Sequence, residues 1–212
     1  RCIMAEKKQA FVTPVGTINH PWLVEPCKWD NEKGRSVKAD RDDLHGYYNV
    51  TLTFESESFD ASDFKKTLDN LWGEHKKQYK GKFDKERPPY KLNDEGEYVI
   101  KPRRKSAYMK DKQIQQFQAP QLSDCLGTTN LRDYFVEGRL PGSGSTGRVK
   151  VSSYLPAPTK NPQTKENVLK FELDLLALQF SDLVEFKSGG SGLGAIDGVP
   201  VMAGIDDDDI PI

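Results

Sequence analysis

What the chain lacks narrows its chemistry first. Cysteine is scarce: Cys2, Cys27 and Cys125 are the three in 212 residues, an odd number with no CxxC or Cys/His spacing. That argues against a disulfide framework or a zinc cluster and fits a reducing compartment. Histidine is as sparse, and His20, His45 and His75 stand apart, without the i, i+4 spacing of a metal site. No metal and no cofactor is expected. No apolar run approaches the roughly 20 residues of a membrane span, and no stretch reads as a signal peptide. The opening "RCIMAEKK" is expected to be a cloning remnant over residues 1–3 before a native start at Met4.

Net charge is nearly absent too, at −1, but the average hides an asymmetry. Five acidic residues, Asp197 and Asp206 to Asp209, lie after residue 188, where there is no Lys or Arg; before it stand 31 basic against 27 acidic residues. So small an excess does not by itself indicate nucleic acid. Apolar residues are few, at 36%, yet ten Phe, eight Tyr and three Trp exclude a disordered chain. Catalytic signatures are missing as well. "GSGSTGRV" (142–149) has the glycine spacing of a phosphate-binding loop, but Arg148 and Val149 stand where Lys and Ser/Thr are required, and a strand follows instead of a helix. No Ser or Cys lies in a nucleophile motif. The chain is not expected to be an enzyme.

What is present is β-rich. In "HGYYNVTLTFES" (45–56), Tyr48, Val50, Leu52 and Phe54 alternate with Tyr47, Asn49, Thr51 and Thr53, predicting a strand with the first set inward. "FDASDFKKTLDNLWGEHKKQYK" (59–80) switches to helical spacing through Phe64, Leu68, Leu71, Trp72 and Tyr79, with Asp60 or Ser62 as N-cap. Prolines mark 83–96 and "PWLVEPCKWD" as loops, leaving Trp22 and Trp29 to cap a barrel or line a groove. Residues 97–118 read as two short strands around a basic turn, and 141–147 as a flexible loop. Residues 148–155 alternate, with Val149, Val151 and Ser153 opposite Arg148, Lys150, Ser152 and Tyr154. Residues 167–180 begin as a strand, and their second half also fits a helix. Together these predict a small β-barrel plus a helix.

Two stretches join cations to aromatic rings. "KPRRKSAYMKDK" (101–112) sets six basic residues against one acidic residue around Tyr108, and the outward face of 148–154 carries Arg148, Lys150 and Tyr154. Single-stranded nucleic acid calls for this composition, since cations track phosphates while rings stack bases. A lone basic run is more often a solvated loop; the second instance, with Tyr47 on the first strand, favours binding. The candidate DNA-binding set is Tyr47, Lys101, Arg103, Arg104, Lys105, Tyr108, Phe117, Arg148, Lys150 and Tyr154.

From Ser188 the chain becomes a Gly-rich linker that ends in "DDDDIPI". An acidic block before an apolar terminus suits a pocket that pairs cations with a hydrophobic hole and captures a terminal carboxylate. That makes Asp206, Asp207, Asp208, Asp209, Ile210, Pro211 and Ile212 candidate partner-binding residues.

The tip resembles the C-terminal peptide of bacterial single-stranded DNA-binding proteins, with Ile212 in place of the usual Phe. The body, in "FVTPVGTINHPWLVEPCKWDNEKG", "GYYNVTLTF" before a helix, and a closing strand pair from Arg148 to Phe186, is similar in order to the replication single-stranded DNA-binding proteins of tailed phages. Over roughly residues 8–190 this resemblance implies a five-stranded OB-fold barrel with an inserted helix, and a flexible acidic tail that contacts the phage polymerase and helicase-primase and shields the DNA groove. "PAPTKN" (156–161) stands where family members carry aromatics, so stacking would fall to other rings. The expected organisation is an OB-fold domain over 4–188 and a recruiting tail over 189–212. The expected setting is the host cell cytoplasm, acting in DNA replication, recombination and repair. The expected partners are single-stranded DNA and replication or host repair proteins, with no membrane and with a homodimer left open. The rival reading is a protein-interaction adaptor with an OB-like body and a C-terminal docking peptide.

Overall fold

The computed structural model describes residues 10–127, 129–135 and 139–187. The proposed cloning remnant, the Gly-rich linker and the acidic tip lie outside the described residues. In chain order the elements are β1 (Ala10–Val12), β2 (Gly16–Asp30), β3 (Arg35–Lys38), β4 (Tyr47–Phe54), α1 (Ser56–Ala61), α2 (Asp63–Gln78), β5 (Lys85–Arg87), β6 (Lys91–Leu92), β7 (Tyr98–Ile100) and β8 (Arg103–Lys105). They continue with β9 (Ala107–Lys110), β10 (Gln113–Gln116), β11 (Gln121–Ser123), β12 (Arg139–Pro141), β13 (Thr146–Tyr154), β14 (Thr159–Lys160), β15 (Asn167–Lys170), β16 (Glu172–Asp182) and β17 (Glu185–Lys187).

Five strands close on themselves. β2 pairs antiparallel with β4, β4 with β8, and β8 runs parallel to β16; β16 pairs antiparallel with β13, which returns to β2. Antiparallel neighbours with one parallel closing pair, in the order 1-2-3-5-4, make a five-stranded Greek-key barrel of the OB type. The helices are inserted between its second and third strands. The interior is filled by alternate residues, as a period of two requires: Tyr48, Val50, Leu52 and Phe54 from β4, Val149 and Val151 from β13, and Leu173, Leu175, Leu178 and Phe180 from β16 are all buried.

The helical stretch is two helices. Ser62 ends α1 and caps α2, its hydroxyl accepting from the Lys65 N–H at 3.2 Å and donating to the Phe59 carbonyl at 2.6 Å. Phe64, Leu68 and Trp72 are buried, and Leu71 and Tyr79 pack against the same core. An aromatic cluster joins helix to barrel, with Phe59 4.9 Å from Phe54 and 4.7 Å from Tyr98 between ring centroids.

Further expectations give way to the structure, among them the loop over 83–96, which holds the short strands β5 and β6. "PWLVEPCKWD" is strand: β2 is irregular between Asn19 and Trp22 and between Trp22 and Cys27, so Pro21 and Pro26 fall where no ladder donor is needed. The segment 97–118 holds four strands, and Arg103–Lys105 is itself one of them. The second half of 167–180 is strand throughout, because β16 is enclosed on both sides by β13 and by β8 and β11. On β13, Ser152 is buried and Ser153 is half-buried, the reverse of simple alternation; the register shift opposite Lys150 and Val151 leaves Leu176 as the extra residue on β16, so Leu173 and Leu175 and then Leu178 and Phe180 all turn inward.

Barrel closure rests on a close backbone approach. Across β2 and β13 the register pairs are Thr146 with Thr17 and Gly147 with Gly16. A Cβ on Gly147 would collide with the Gln179 carbonyl oxygen, and one on Gly16 would lie 2.6 Å from the Phe54 ring and 2.8 Å from the Thr53 carbonyl. The glycine that looked like part of a phosphate loop is therefore a packing requirement. Gly147→Ala should lower the unfolding free energy by about 1–3 kcal/mol through overpacking. Gly73→Ala, in the interior of α2 with open space around its Cα, should raise it by about 1 kcal/mol. Urea denaturation of the two variants checks both signs.

Candidate nucleic-acid interface

An open groove of about 760 Å³ lies on the outer face of β2, β4 and β8, walled by the 86–91 segment and the start of β16. Rows of side chains cross its floor because the strands are in register. Trp22 lies opposite Asn49 on β4, and Asn49 opposite Arg103 on β8; Tyr47 lies between Cys27 and Lys105. These are the outward residues of strands whose inward residues form the core. The same alternation that buries Tyr48 and Val50 therefore presents Tyr47, Asn49 and Thr51 to the groove.

Rings and cations both line it. Trp22, Trp29, Tyr47 and Tyr90 supply faces, and Trp29 is 57% exposed at the end of β2. Arg87, Lys91, Lys101, Arg103 and Lys170 supply positive charge. Arg87 and Lys170 are register partners across β5 and β15, which sets two cations side by side on the wall. Two carboxylates also line the groove. Glu86 is held by Lys76 of α2 at 3.4 Å, and Glu172 by Arg103 at 2.7 Å.

Beneath the floor, burial pushes the Cys27 thiol up to about 11 and also raises the Tyr47 phenol above its ordinary value. Cys27 accepts from the Asn49 amide at 3.4 Å, so the thiol supports the floor and is not a nucleophile. Cys27 and Cys125 are both free thiols.

Of the ten residues expected to bind DNA, Tyr47, Lys101 and Arg103 line the groove, and Lys105 lies across from Tyr47 at its end. Tyr108 and Phe117 form a separate pair on the β9–β10 hairpin, with ring centroids 4.5 Å apart. The hairpin turns through Asp111 and Lys112, both at positive φ as a two-residue turn of this hand requires. Arg104 faces away from the groove. It donates to the Gln118 carbonyl at 2.6 Å, pairs with Asp174 at 3.1 Å, and lies 5.4 Å over the Phe117 ring, fastening the hairpin to the barrel. Arg148 and Lys150 are exposed on β13, outside the groove, with Arg148 bonded to Gln179 at 2.8 Å. Tyr154, 49% exposed, lies opposite Glu172 and so borders it.

Sequence reasoning left Trp22 and Trp29 open and did not select Arg87, Lys91 or Lys170. "ERPPYK" carried a signal, two cations flanking Pro-Pro-Tyr, that a loop assignment concealed. The loop is fixed on α2, since the Tyr90 hydroxyl donates to Asp69 and the Lys65 ammonium lies 5.4 Å from the ring.

No family model matches the chain, and no curated protein matches its sequence. Its fold is nevertheless shared. The barrel with its helical insert is similar to gp2.5, a single-stranded DNA-binding protein encoded by bacteriophage T7, with a TM-score of 0.59 at 18% identity over 87% of this chain and 92% of that one. It is also similar to the single-stranded DNA-binding protein of bacteriophage Enc34 in complex with ssDNA, with a TM-score of 0.53 at 16% identity over 85% and 89% of the two chains.

Burial and the nearby Asp69 carboxylate raise the Tyr90 phenol from 10.0 to about 12. The fold favours the protonated phenol, so its contribution to stability is complete below about pH 10 and is lost as pH rises through about 12. Urea midpoints measured from pH 9 to 12 should fall over that window, and the fall should be shallower in Tyr90→Phe.

Proposed function

We propose that the protein binds single-stranded DNA without strong sequence preference, as a phage protein of DNA replication, recombination and repair, and carries no catalytic activity of its own. The observation behind this reading is the groove, where indole and phenol rings are set among cations on the face of the second and third strands of an OB barrel. That face is the one on which such barrels take up oligonucleotides. In this reading Lys101, Arg87, Lys91 and Lys170 neutralise phosphates, with Arg103 beside them and paired to Glu172, while Trp29, Trp22 and Tyr47 stack bases. Lys105 and the Tyr108–Phe117 pair extend the path beyond one end, and Tyr154 lies at its border. The likeness to a phage protein solved with ssDNA supports the same assignment.

The tail completes the proposal. Residues 206–212 recruit replication proteins such as a polymerase, a helicase-primase or host repair enzymes, and occupy the basic groove when no DNA is bound, so that they compete with DNA for it.

Fluorescence anisotropy with labelled oligo-dT and with duplex, across a salt series, tests the reading. Binding to oligo-dT should exceed binding to duplex and fall steeply with salt; equal affinity for the two would overturn it. Trp29→Ala should cost about 1–3 kcal/mol, the worth of one stacked base. Lys101→Ala should flatten the slope of log K against log salt by about 0.7, the value for one phosphate contact on a single strand. Removing residues 189–212 should tighten binding at low salt. No gain would eliminate the competition and leave recruitment standing.

A further inference from the structure

The groove's cations are not equivalent. Among the described residues, Arg87, Lys91, Lys101 and Lys170 form no salt bridge, whereas Arg103 donates from Nη2 to Glu172 Oε1 at 2.7 Å. The other groove carboxylate, Glu86, is drawn to Lys76, which does not line the groove. Among the described residues, Glu172 is thus the one acidic side chain in an ion pair with a groove cation. β8 and β16 run parallel with Asp174 opposite Arg103, which puts Glu172, two residues earlier on the same face of β16, within reach of that guanidinium. Arg104, the next residue along β8, reaches Asp174 instead, at 3.1 Å. Consecutive arginines are therefore matched to alternate carboxylates, one pair fastening the barrel and the other lying in the groove.

From this geometry we infer that Glu172 is an internal competitor for phosphate: it occupies Arg103 when the groove is empty and weakens the groove's hold on any nucleic acid. The inference rests on the groove being the ssDNA site. A phosphate reaching Arg103 must displace a carboxylate that already satisfies part of the guanidinium fork, or settle beside it against like-charge repulsion. The pair is close to neutral as a unit, so Arg103 adds little to counterion release while Glu172 is present. Affinity then depends more on the unrestrained lysines and on stacking, which only unpaired bases can provide. Glu172 acts as a specificity-determining residue through Arg103, without needing to touch DNA.

A double-substitution cycle on the full chain tests this, with labelled oligo-dT as ligand. Glu172→Gln should tighten binding about 3- to 10-fold at low salt and steepen the salt slope by about 0.7, one additional phosphate neutralised. Arg103→Gln should cost less than twofold alone, yet about 3- to 10-fold in the Glu172→Gln background, as expected when one residue masks another. Thermal unfolding of each variant separates this from a purely structural role, which would lower the melting temperature without altering the slope. An equal cost for Arg103→Gln in both backgrounds, or a Glu172→Gln variant with unchanged slope, overturns the inference. If the unsubstituted chain fails to bind oligo-dT at all, the functional reading falls instead.

Discussion

The approach of two backbones at Gly16 and Gly147 is the constraint on which the rest depends. A barrel this small closes only if its first and fourth strands come together, and here they share two register pairs before β2 diverges. Further bonds from the preceding turn reinforce the seam: Ile18 N–H donates to the Ser145 carbonyl at 2.7 Å, and Gly144 N–H to the Ile18 carbonyl at 2.9 Å. With those strands held, the opposite seam needs little. β8 and β16 share a single register pair and are tied by the Arg104–Asp174 ion pair. The groove face is the outside of this closed wall. Anything that opens the first seam also disperses the rows that place Trp22, Asn49 and Arg103 in line.

The charge distribution follows from how carboxylates are distributed around that wall. The chain is nearly neutral, yet four of the five groove cations lack an acidic partner among the described residues. Several carboxylates are engaged by cations that do not line the groove. Lys65 takes Asp60 and Asp69 on the helical side, Lys76 draws Glu86 outward, and Lys28 holds Asp43 at 2.8 Å. Exposed pairs of this kind contribute little stability one by one. Their larger effect is on the local field, because each removes a carboxylate from competition with an incoming phosphate.

The parts that were legible in sequence were those decided by local periodicity. β4 could be read residue by residue, since one face is buried and the other is not, and α2 could be read from Phe64, Leu68 and Trp72. β2 could not, because its two prolines signal a loop unless bulges are known to absorb them. The end of β16 could not either, because apolar residues on both faces give no alternation to separate strand from helix. The groove was legible only in part, and for a different reason. Tyr47, Lys101 and Arg103 belong to faces visible in sequence, but Trp29 joins them only through the pairing of β2 with β4, and Arg87 and Lys170 only through strands more than 80 residues apart. Sequence shows which residues share a face. It does not show which faces meet, and so Arg148 and Lys150, with the same cation-bearing pattern, lie on another side of the barrel.

That separation bears on what the groove can select. Cations scattered over a surface attract any polyanion, duplex included, with a strength set by charge alone. Rings distinguish strands only when they lie between the cations, at a depth where a base must leave its partner to reach them. In this barrel rings and cations are interleaved: Trp22, Tyr47 and Arg103 are on the floor, Trp29 is at one end, and Tyr90 lies with Arg87, Lys91 and Lys170 on the walls. Duplex backbones can touch the walls without satisfying the floor, whereas a single strand can engage both. The preference for unpaired strands in the proposed function therefore rests on rings set among the charges, a property of register more than of composition. It explains why a chain with almost no net charge can still be suited to a polyanion.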